Sequence, residues 1–333
     1  MVTCQVCTLA LVVVALIFDF LNGFHDSANI VATMISSRAM RPSRALFLSA
    51  VAHFCAPFIF GVAVATTIGK DIVNPQTITV GAVMAALLSA IGWNLITWFL
   101  GLPSSSSHAL AGGIVGAVTV AAGFDAIHRD GLSKVLAALV FSPLAGLAFG
   151  YLAMKLVLFL ARGASPRINW FFKRSQALTA VALALSHGTN DAQKTMGIIT
   201  MGLVAGGFLH DFAVPWWVIA LSATAISLGT ASGGWRIIRT LGAGLYRLRP
   251  VDGFVSQASS AIVILGAALL GGPVSTTQVV SSSIIGTGSA QRISMVRWGV
   301  AVDILAAWIM TIPVAAVGAA LLYYPINHLL GGI

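Results

Sequence analysis

The chain has 333 residues, of which 58% are hydrophobic and only 8% are charged. Soluble proteins carry roughly 25% charged residues, so this composition argues against a water-soluble enzyme and excludes a disordered or nucleic-acid-binding chain. The net charge of +9 comes from 18 Lys and Arg against 9 acidic residues, a balance typical of cationic cytoplasmic loops in a membrane protein. The composition therefore predicts a polytopic membrane protein, with about 20 apolar residues in each span.

Apolar segments with few charges follow one another along the whole chain, and they predict ten helical segments in an all-α fold. Two long uncharged stretches are each divided by a turn, one at Gly101–Pro103 and the other at Gly271–Pro273. In chain order the segments are about 5–36, 45–69, 76–100, 103–122, 133–161, 176–208, 213–233, 253–271, 273–290 and 298–324.

The chain repeats two of its own motifs. Asn22–Asn29 (NGFHDSAN) resembles His187–Lys194 (HGTNDAQK) at an offset of 165 residues. Gly101–His108 (GLPSSSSH) resembles Gly271–Gln278 (GGPVSTTQ) at an offset of 170 residues. Matches in the same order and at nearly the same spacing predict two repeats of about five segments each.

Loop charges predict how the repeats cross the membrane. If every segment crosses, the four Arg-rich loops fall on one side, which the positive-inside rule makes the cytoplasm. Five crossings per repeat is an odd number, so the repeats are inverted and both termini lie outside. This argument from the number of crossings weakens if the Ser-rich and Asp-motif segments together re-enter the membrane instead of crossing it. The predicted units are an N-terminal repeat (1–161), a basic cytoplasmic linker (162–175) and a C-terminal repeat (176–333).

Two acidic residues, Asp26 and Asp191, lie in the middle of apolar segments and at equivalent repeat positions. Each follows a glycine, Gly23 or Gly188, which we expect to loosen the helix and free backbone carbonyls. Such carbonyls and a carboxylate form an oxygen-rich site for a cation or a proton. The alternative is a pair of structural Asp residues at helix breaks. The other ionisable residues of apolar segments are Asp19, His25, His53, His108, Lys155, His187, Lys194 and Asp303.

Hydroxyl side chains open two apolar segments, at Ser104–Ser107 and at Ser275–Thr277. Pro and Ser or Thr are typical of a helix start, where the first N–H groups have no partner within the helix and carry partial positive charge. Two such ends facing each other would bind a tetrahedral oxyanion without a buried Arg. Ordinary helix capping is the alternative. The pattern predicts broken or re-entrant helices at the site.

These four motifs, together with Trp235–Thr240 (WRIIRT), resemble the paired signatures of the PiT family of inorganic phosphate transporters, in its bacterial low-affinity form. The resemblance covers essentially the whole chain. It implies a secondary transporter, not an enzyme, that moves inorganic phosphate with a cation. It also implies a homodimer in the bacterial inner membrane, without a resident cofactor, metal or nucleic acid. The implied site residues are Ser105, Ser106, Ser107, Ser275, Thr276 and Thr277 for phosphate, and His25, Asp26, Asn29, Asn190 and Asp191 for the coupling cation or proton.

The chain departs from the family's commonest pattern at His25, Lys194 and Gln278, where Asn, Asn and His are frequent. Lys194 matters most, because an ammonium fixed near Asp191 is expected to replace a bound sodium ion or to contact phosphate directly. The departure favours proton coupling over sodium coupling. The resemblance to proton-driven bacterial members agrees, and such members are associated with divalent metal–phosphate complexes as substrates.

Four alternatives stay open at this point. A sodium-coupled phosphate carrier keeps the same site. A carrier of sulfate or another oxyanion fits the neutral donors, although a carboxylate that can accept a proton favours phosphate. A membrane-embedded phosphatase would need Arg, Lys or a metal at the transferring group, whereas all Arg residues lie in predicted loops. A passive channel is the fourth.

Overall fold

The computed structural model describes residues 2–71 and 78–330, and twelve α-helices make up most of this part of the chain. The all-α prediction is confirmed. Two π-helical turns, Thr67–Asp71 and Thr240–Gly244, extend α3 and α9. In chain order the helices are α1 (Val2–Ser36), α2 (Pro42–Phe60), α3 (Ala63–Thr66), α4 (Val80–Leu100), α5 (Ser106–Ala122), α6 (Arg129–Leu160), α7 (Ile168–Ala205), α8 (Trp216–Ser232), α9 (Trp235–Arg239), α10 (Pro250–Leu269), α11 (Thr276–Gln291) and α12 (Trp298–Leu329).

Six helices within the described ranges, α1, α2, α4, α6, α10 and α12, are long and apolar enough to cross a membrane. Helices α8 and α9 form a seventh candidate when taken together, with a bend of 58° between them. Helix α7 has 38 residues but a polar middle. Helices α5 and α11 have only 17 and 16 residues. The multi-pass architecture is confirmed, while the crossing or re-entrance of α5 and α11 stays a prediction.

Two helical hairpins, α4–α5 and α10–α11, have equivalent turns. Gly101 is the first residue after α4 and has φ 70°, and Gly271, two residues after the end of α10, has φ 69°. Glycine adopts this left-handed conformation without steric cost and closes the helix. In both turns the next residue donates its N–H to a carbonyl of the last helical turn, at 2.9 Å and 2.8 Å. The chain is thereby reversed directly before the hydroxyl-rich starts of α5 and α11.

Helix packing joins the two halves reciprocally. Helix α5 packs against α12, and its repeat equivalent α11 packs against α6. In the same way α1 packs against α8 and α7 against α2. This exchange of partners is that expected of two inverted repeats. Helix α6 ends at Leu160 and α7 begins at Ile168, so α7 starts within the predicted linker; the repeat boundaries and the cytoplasmic side of the linker stay predictions.

Glycines bring the backbones of the exchanged pairs into direct contact. A Cβ at Gly116 in α5 would lie 2.1 Å from the carbonyl oxygen of Ala316 in α12. The equivalent Gly286 in α11 lies against α6, where a Cβ would be 2.3 Å from the carbonyl oxygen of Leu147. Small residues at such crossings let transmembrane helices gain van der Waals contact that larger side chains prevent.

We expect the substitution Gly116→Leu to lower the free energy of unfolding by about 1–3 kcal/mol, because the new side chain overlaps the α12 backbone. Gly92→Leu in α4 is the control, since a Cβ there has no atom within 4 Å. Thermal unfolding in detergent measures both variants. Equal midpoints for the two variants would contradict the close α5–α12 contact.

Candidate functional site

The two Asp motifs lie within continuous helices, the first in α1 and the second in α7. The expected loosening of the helices at Gly23 and Gly188 is therefore wrong. These glycines allow neighbouring helices to come close instead. A Cβ at Gly23 would lie 2.1 Å from the Ile226 carbonyl oxygen, and one at Gly188 would lie 3.1 Å from the backbone of His53. The packing carries polar side chains of α1 and α7 into the centre of the bundle.

Helices α5 and α11 start with equivalent caps. The Ser105 side-chain oxygen accepts a hydrogen bond from the His108 N–H at 3.1 Å. The Ser275 side-chain oxygen accepts one from the Gln278 N–H at 3.3 Å. These two predicted phosphate ligands thus serve as N-caps. Each cap satisfies one N–H group, and the other N–H groups at the start of each helix have no partner within the helix.

The starts of α5 and α11 meet each other in the bundle interior. The Ser107 hydroxyl donates to the Val274 carbonyl at 3.2 Å. The Gln278 side-chain nitrogen lies 2.9 Å from Nδ1 of His108. Two helix N-termini, each with partial positive charge, are thus adjacent, as the paired hydroxyl motifs predict.

Threonine hydroxyls of α11 contact both motif carboxylates. Thr277 donates to Oδ1 of Asp26 at 2.9 Å, and Thr276 donates to Oδ2 of Asp191 at 2.9 Å. Both carboxylates are almost completely buried. One helix start therefore connects the carboxylates of the two repeats.

Asparagine side chains surround these contacts. The Asn29 amide donates to the Thr277 hydroxyl at 3.1 Å, and the Asn190 amide donates to a carbonyl of the α10–α11 turn at 3.1 Å. The Ser106 hydroxyl donates to the Asn22 side-chain oxygen at 2.7 Å. The side-chain oxygens of Asn29 and Asn190 have no hydrogen-bond partner in the described structure. They are acceptors available to a proton donor or a cation.

Lys194 places a cation where the starts of α5 and α11 meet the Asp motifs of α1 and α7, a region called the junction below. Its side chain is 1% exposed and pairs with Asp191. The ammonium also donates to the Ser107 hydroxyl at 2.5 Å and to the Val274 carbonyl at 3.0 Å. A single buried ammonium thus binds groups from α5, α7 and the α10–α11 turn.

Histidines lie beside both carboxylates. Nδ1 of His25 is 2.9 Å from Oδ1 of Asp26. His187 lies between the carboxylates, 2.9 Å from Oδ2 of Asp191 and 3.9 Å from Oδ2 of Asp26, and its ring stacks on His53 with centroids 5.1 Å apart. No site role was predicted for His187, although it occupies the repeat position of the first motif's Asn.

Ligand atoms of Asp26, His187 and Asp191 lie within 4.8 Å of one another, a grouping that is able to hold a metal ion. The sequence predicted no metal ligands. With neutral histidines, the two carboxylates and the Lys194 ammonium leave one net negative charge at the junction. The structure brings all predicted site residues together, and each is at most 7% exposed; their roles stay predictions.

A buried polar junction between inverted repeats, built from helix N-termini and carboxylates, is the arrangement of a secondary transporter. The model of the phosphate transporter family matches residues 22–319. The chain belongs to this family, which confirms the resemblance seen in the motifs.

Three known proteins show how far the similarity extends. A probable low-affinity inorganic phosphate transporter of Bacillus subtilis is 45% identical over 325 residues, 96% of this chain and 97% of the relative. A probable low-affinity inorganic phosphate transporter of Rhizobium meliloti is 46% identical over 316 residues, which cover 94% of this chain and 95% of the relative. A solved structure described as the sodium-dependent phosphate transporter has 23% identity and a TM-score of 0.88, covering 97% of this chain and all of that one. The last match shows a shared fold.

Proposed function

We propose that this chain is a secondary active transporter that imports inorganic phosphate by symport with a proton. The observation that carries the proposal is the meeting of the α5 and α11 N-termini at two carboxylates and one ammonium. N–H groups, hydroxyls and an ammonium are the donors that bind phosphate oxygens. The names of the Bacillus and Rhizobium relatives support the same substrate.

Phosphate and the carboxylates compete for the same donors. Thr276 and Thr277 donate to Asp191 and Asp26, and Lys194 donates to Asp191. A phosphate ion that binds these groups must displace carboxylate oxygens from them. Protonation of a carboxylate weakens its hold on a donor, because hydrogen bonds to charged groups are the stronger ones. Proton binding therefore favours phosphate binding.

The net charge of the junction also favours binding of a proton together with phosphate. One uncompensated negative charge about 4 Å from a phosphate charge costs about 4 kcal/mol at an effective dielectric constant of about 20. A bound proton removes this repulsion. Lys194 already supplies a fixed cation at Asp191, so we assign the mobile coupling ion as a proton.

Sodium coupling is the second candidate. The ligand atoms of Asp26, His187 and Asp191 and the free oxygens of Asn29 and Asn190 would also suit a cation. The solved structure with this fold is described as sodium-dependent. We prefer the proton because the Lys194 ammonium already neutralises Asp191.

Three further features complete the proposal. The substrate is phosphate, with a divalent metal–phosphate complex as a second form. The protein is a homodimer in the bacterial inner membrane, with its basic loops in the cytoplasm. Large apolar side chains such as Phe141 and Leu152 on α6 and Leu321 on α12 are more than 60% exposed, which supports contact of these helices with lipid or with a second copy.

Uptake of radiolabelled phosphate into proteoliposomes tests the proposal. Separate samples receive an inward proton gradient, an inward sodium gradient, added Mg²⁺, or excess unlabelled sulfate. We expect concentrative uptake with the proton gradient alone, abolished by a protonophore and unaffected by sulfate. Sodium-driven uptake would show that sodium is the coupling ion instead of the proton. Suppression by sulfate would show that the substrates include other oxyanions. An uptake rate that never saturates would indicate a channel.

A further inference from the structure

Asp19 is a buried acid that the mechanism above does not use. It lies in the middle of α1 and is 0% exposed. Neither of its carboxylate oxygens has a hydrogen-bond partner among residues 2–71 and 78–330. The acids of the junction, in contrast, are held by threonine, histidine and lysine side chains. Ionisable groups within a membrane protein are costly, and an unpartnered one indicates function.

The position of Asp19 connects it with the phosphate site. Asp19, Asn22 and Asp26 follow one another at spacings of three and four residues, so they share one face of α1. Asp19 and Asp26 are about 10 Å apart along the helix axis. Asn22 lies between them, accepts the Ser106 hydroxyl, and has an unpartnered amide nitrogen.

Few charges face Asp19. Asp191 and Lys194 act on it from α7, and the Thr195 hydroxyl of the same helix lies near it. This hydroxyl is also buried and without a hydrogen-bond partner in the described part of the chain. Helices α4 and α8 pack on α1 as well but contain no ionisable residue. On α2, the buried His53 bonds to Thr230.

Among the described residues, an ionised Asp19 carboxylate has only the nearby Thr195 hydroxyl as a donor. Lys194 supplies no further donor, because its ammonium is held by Asp191, Ser107 and Val274. A carboxyl group in such a place binds a proton, since burial penalises the charged form heavily. The Asp19 carboxyl is therefore a proton-binding site separate from the two motif carboxylates.

We propose that Asp19 carries the coupling proton of the transport cycle. This inference rests on the proposed proton symport and adds Asp19 to the junction carboxylates as a further residue that takes up and releases the proton. The proton from the outer solution forms an O–H bond with one carboxylate oxygen of Asp19. It dissociates to water on the other side after phosphate has left, and the phosphate itself is not altered.

Proton and phosphate binding support each other by electrostatics. A negative ion at Ser106 raises the proton affinity of Asp19, which lies one helical turn from the Asn22 partner of that serine. By reciprocity, a proton on Asp19 raises phosphate affinity by the same factor. Couplings of this kind are roughly 5- to 150-fold. We expect a change of about tenfold in phosphate affinity when Asp19 is protonated.

The substitution Asp19→Asn fixes the neutral form and provides the test. Proton-driven concentrative uptake is expected to be lost, because an amide at this position does not take up and release the proton. Exchange of internal for external phosphate at equal pH is expected to persist, because exchange requires no proton release. Asp303→Asn is the matched control, since Asp303 is an exposed acid on α12. Both variants are purified, checked by gel filtration and assayed in the same vesicles.

The outcomes separate this inference from the proposed function. Wild-type uptake without proton dependence overturns both. Proton-driven wild-type uptake that Asp19→Asn retains at full rate overturns the assignment of Asp19 alone. Loss of both uptake and exchange in a well-folded Asp19→Asn protein assigns the residue to structure and also overturns it. If that variant does not fold, Asp19→Glu replaces it: we expect proton-driven uptake with a shifted pH midpoint, and an unshifted midpoint overturns the inference.

Discussion

Replacing Lys194 by methionine is expected to abolish phosphate uptake and to destabilise the protein by about 3–5 kcal/mol. Methionine keeps the apolar stem but removes the ammonium, which leaves Asp191 as a buried carboxylate without its cation. The Ser107 hydroxyl and the Val274 carbonyl lose their shared donor at the same time. Thermal unfolding in detergent and uptake into proteoliposomes measure the two effects.

A double variant separates stability from transport. Lys194→Met combined with Asp191→Asn removes both charges, so we expect most of the lost stability to return while uptake remains absent. Lys155→Met is the control, because Lys155 is exposed on α6 and its ammonium lies 5.5 Å from the centre of the Tyr151 ring. Parental stability in the single Lys194→Met variant would contradict the buried ion pair.

The second large effect is expected for Asp26→Asn, which should lower phosphate uptake about 100-fold. The Asp26 carboxylate lies 2.9 Å from both the Thr277 hydroxyl and His25. Each hydrogen bond to a charged group contributes about 1.5–3 kcal/mol, so the two together amount to at least about 3 kcal/mol, and this lower limit corresponds to roughly two powers of ten. The Asp26 carboxylate also holds the Thr277 hydroxyl in place at the start of α11. Its loss displaces this predicted phosphate donor, so exchange should fall together with proton-driven uptake.

This combined loss distinguishes Asp26 from Asp19, for which exchange is expected to persist. The initial rate of radiolabelled phosphate entry, normalised to the amount of reconstituted protein, is the measurement. Asp303→Asn again serves as the matched substitution outside the junction. Parental uptake by a normally expressed Asp26→Asn protein would remove Asp26 from the coupling mechanism.

The hairpin tips were predictable because their causes are local. Gly101 and Gly271 stop the preceding helix, and Ser105 and Ser275 cap the next one, all within a few residues of sequence. Repetition of this pattern and of the Asp motifs indicated two equivalent halves. The composition and charge-free segments indicated the multi-pass architecture for the same reason, since membrane helices satisfy their own backbone hydrogen bonds.

The cross-chain contacts of the site were not predictable in this way. His187 contacts Asn29, 158 residues away in sequence, and no local pattern shows such a pairing. The sequence predicts a loosened helix at Gly23, because it does not show that α8 packs there at backbone distance. Lys194 stands out in the sequence as an ionisable residue of an apolar segment and by its departure from the family pattern. The structure adds the three groups that its ammonium contacts.

The exchanged packing of α5 with α12 and of α6 with α11 has a consequence for how such a chain can arise. A polypeptide of half this length would insert with its glycine-lined helix faces uncovered. A second copy inserted in the opposite orientation would supply the missing faces. The fold is therefore equivalent to an antiparallel dimer of half-length chains joined by one connection, and a gene cut at that connection should yield fragments that accumulate only when coexpressed.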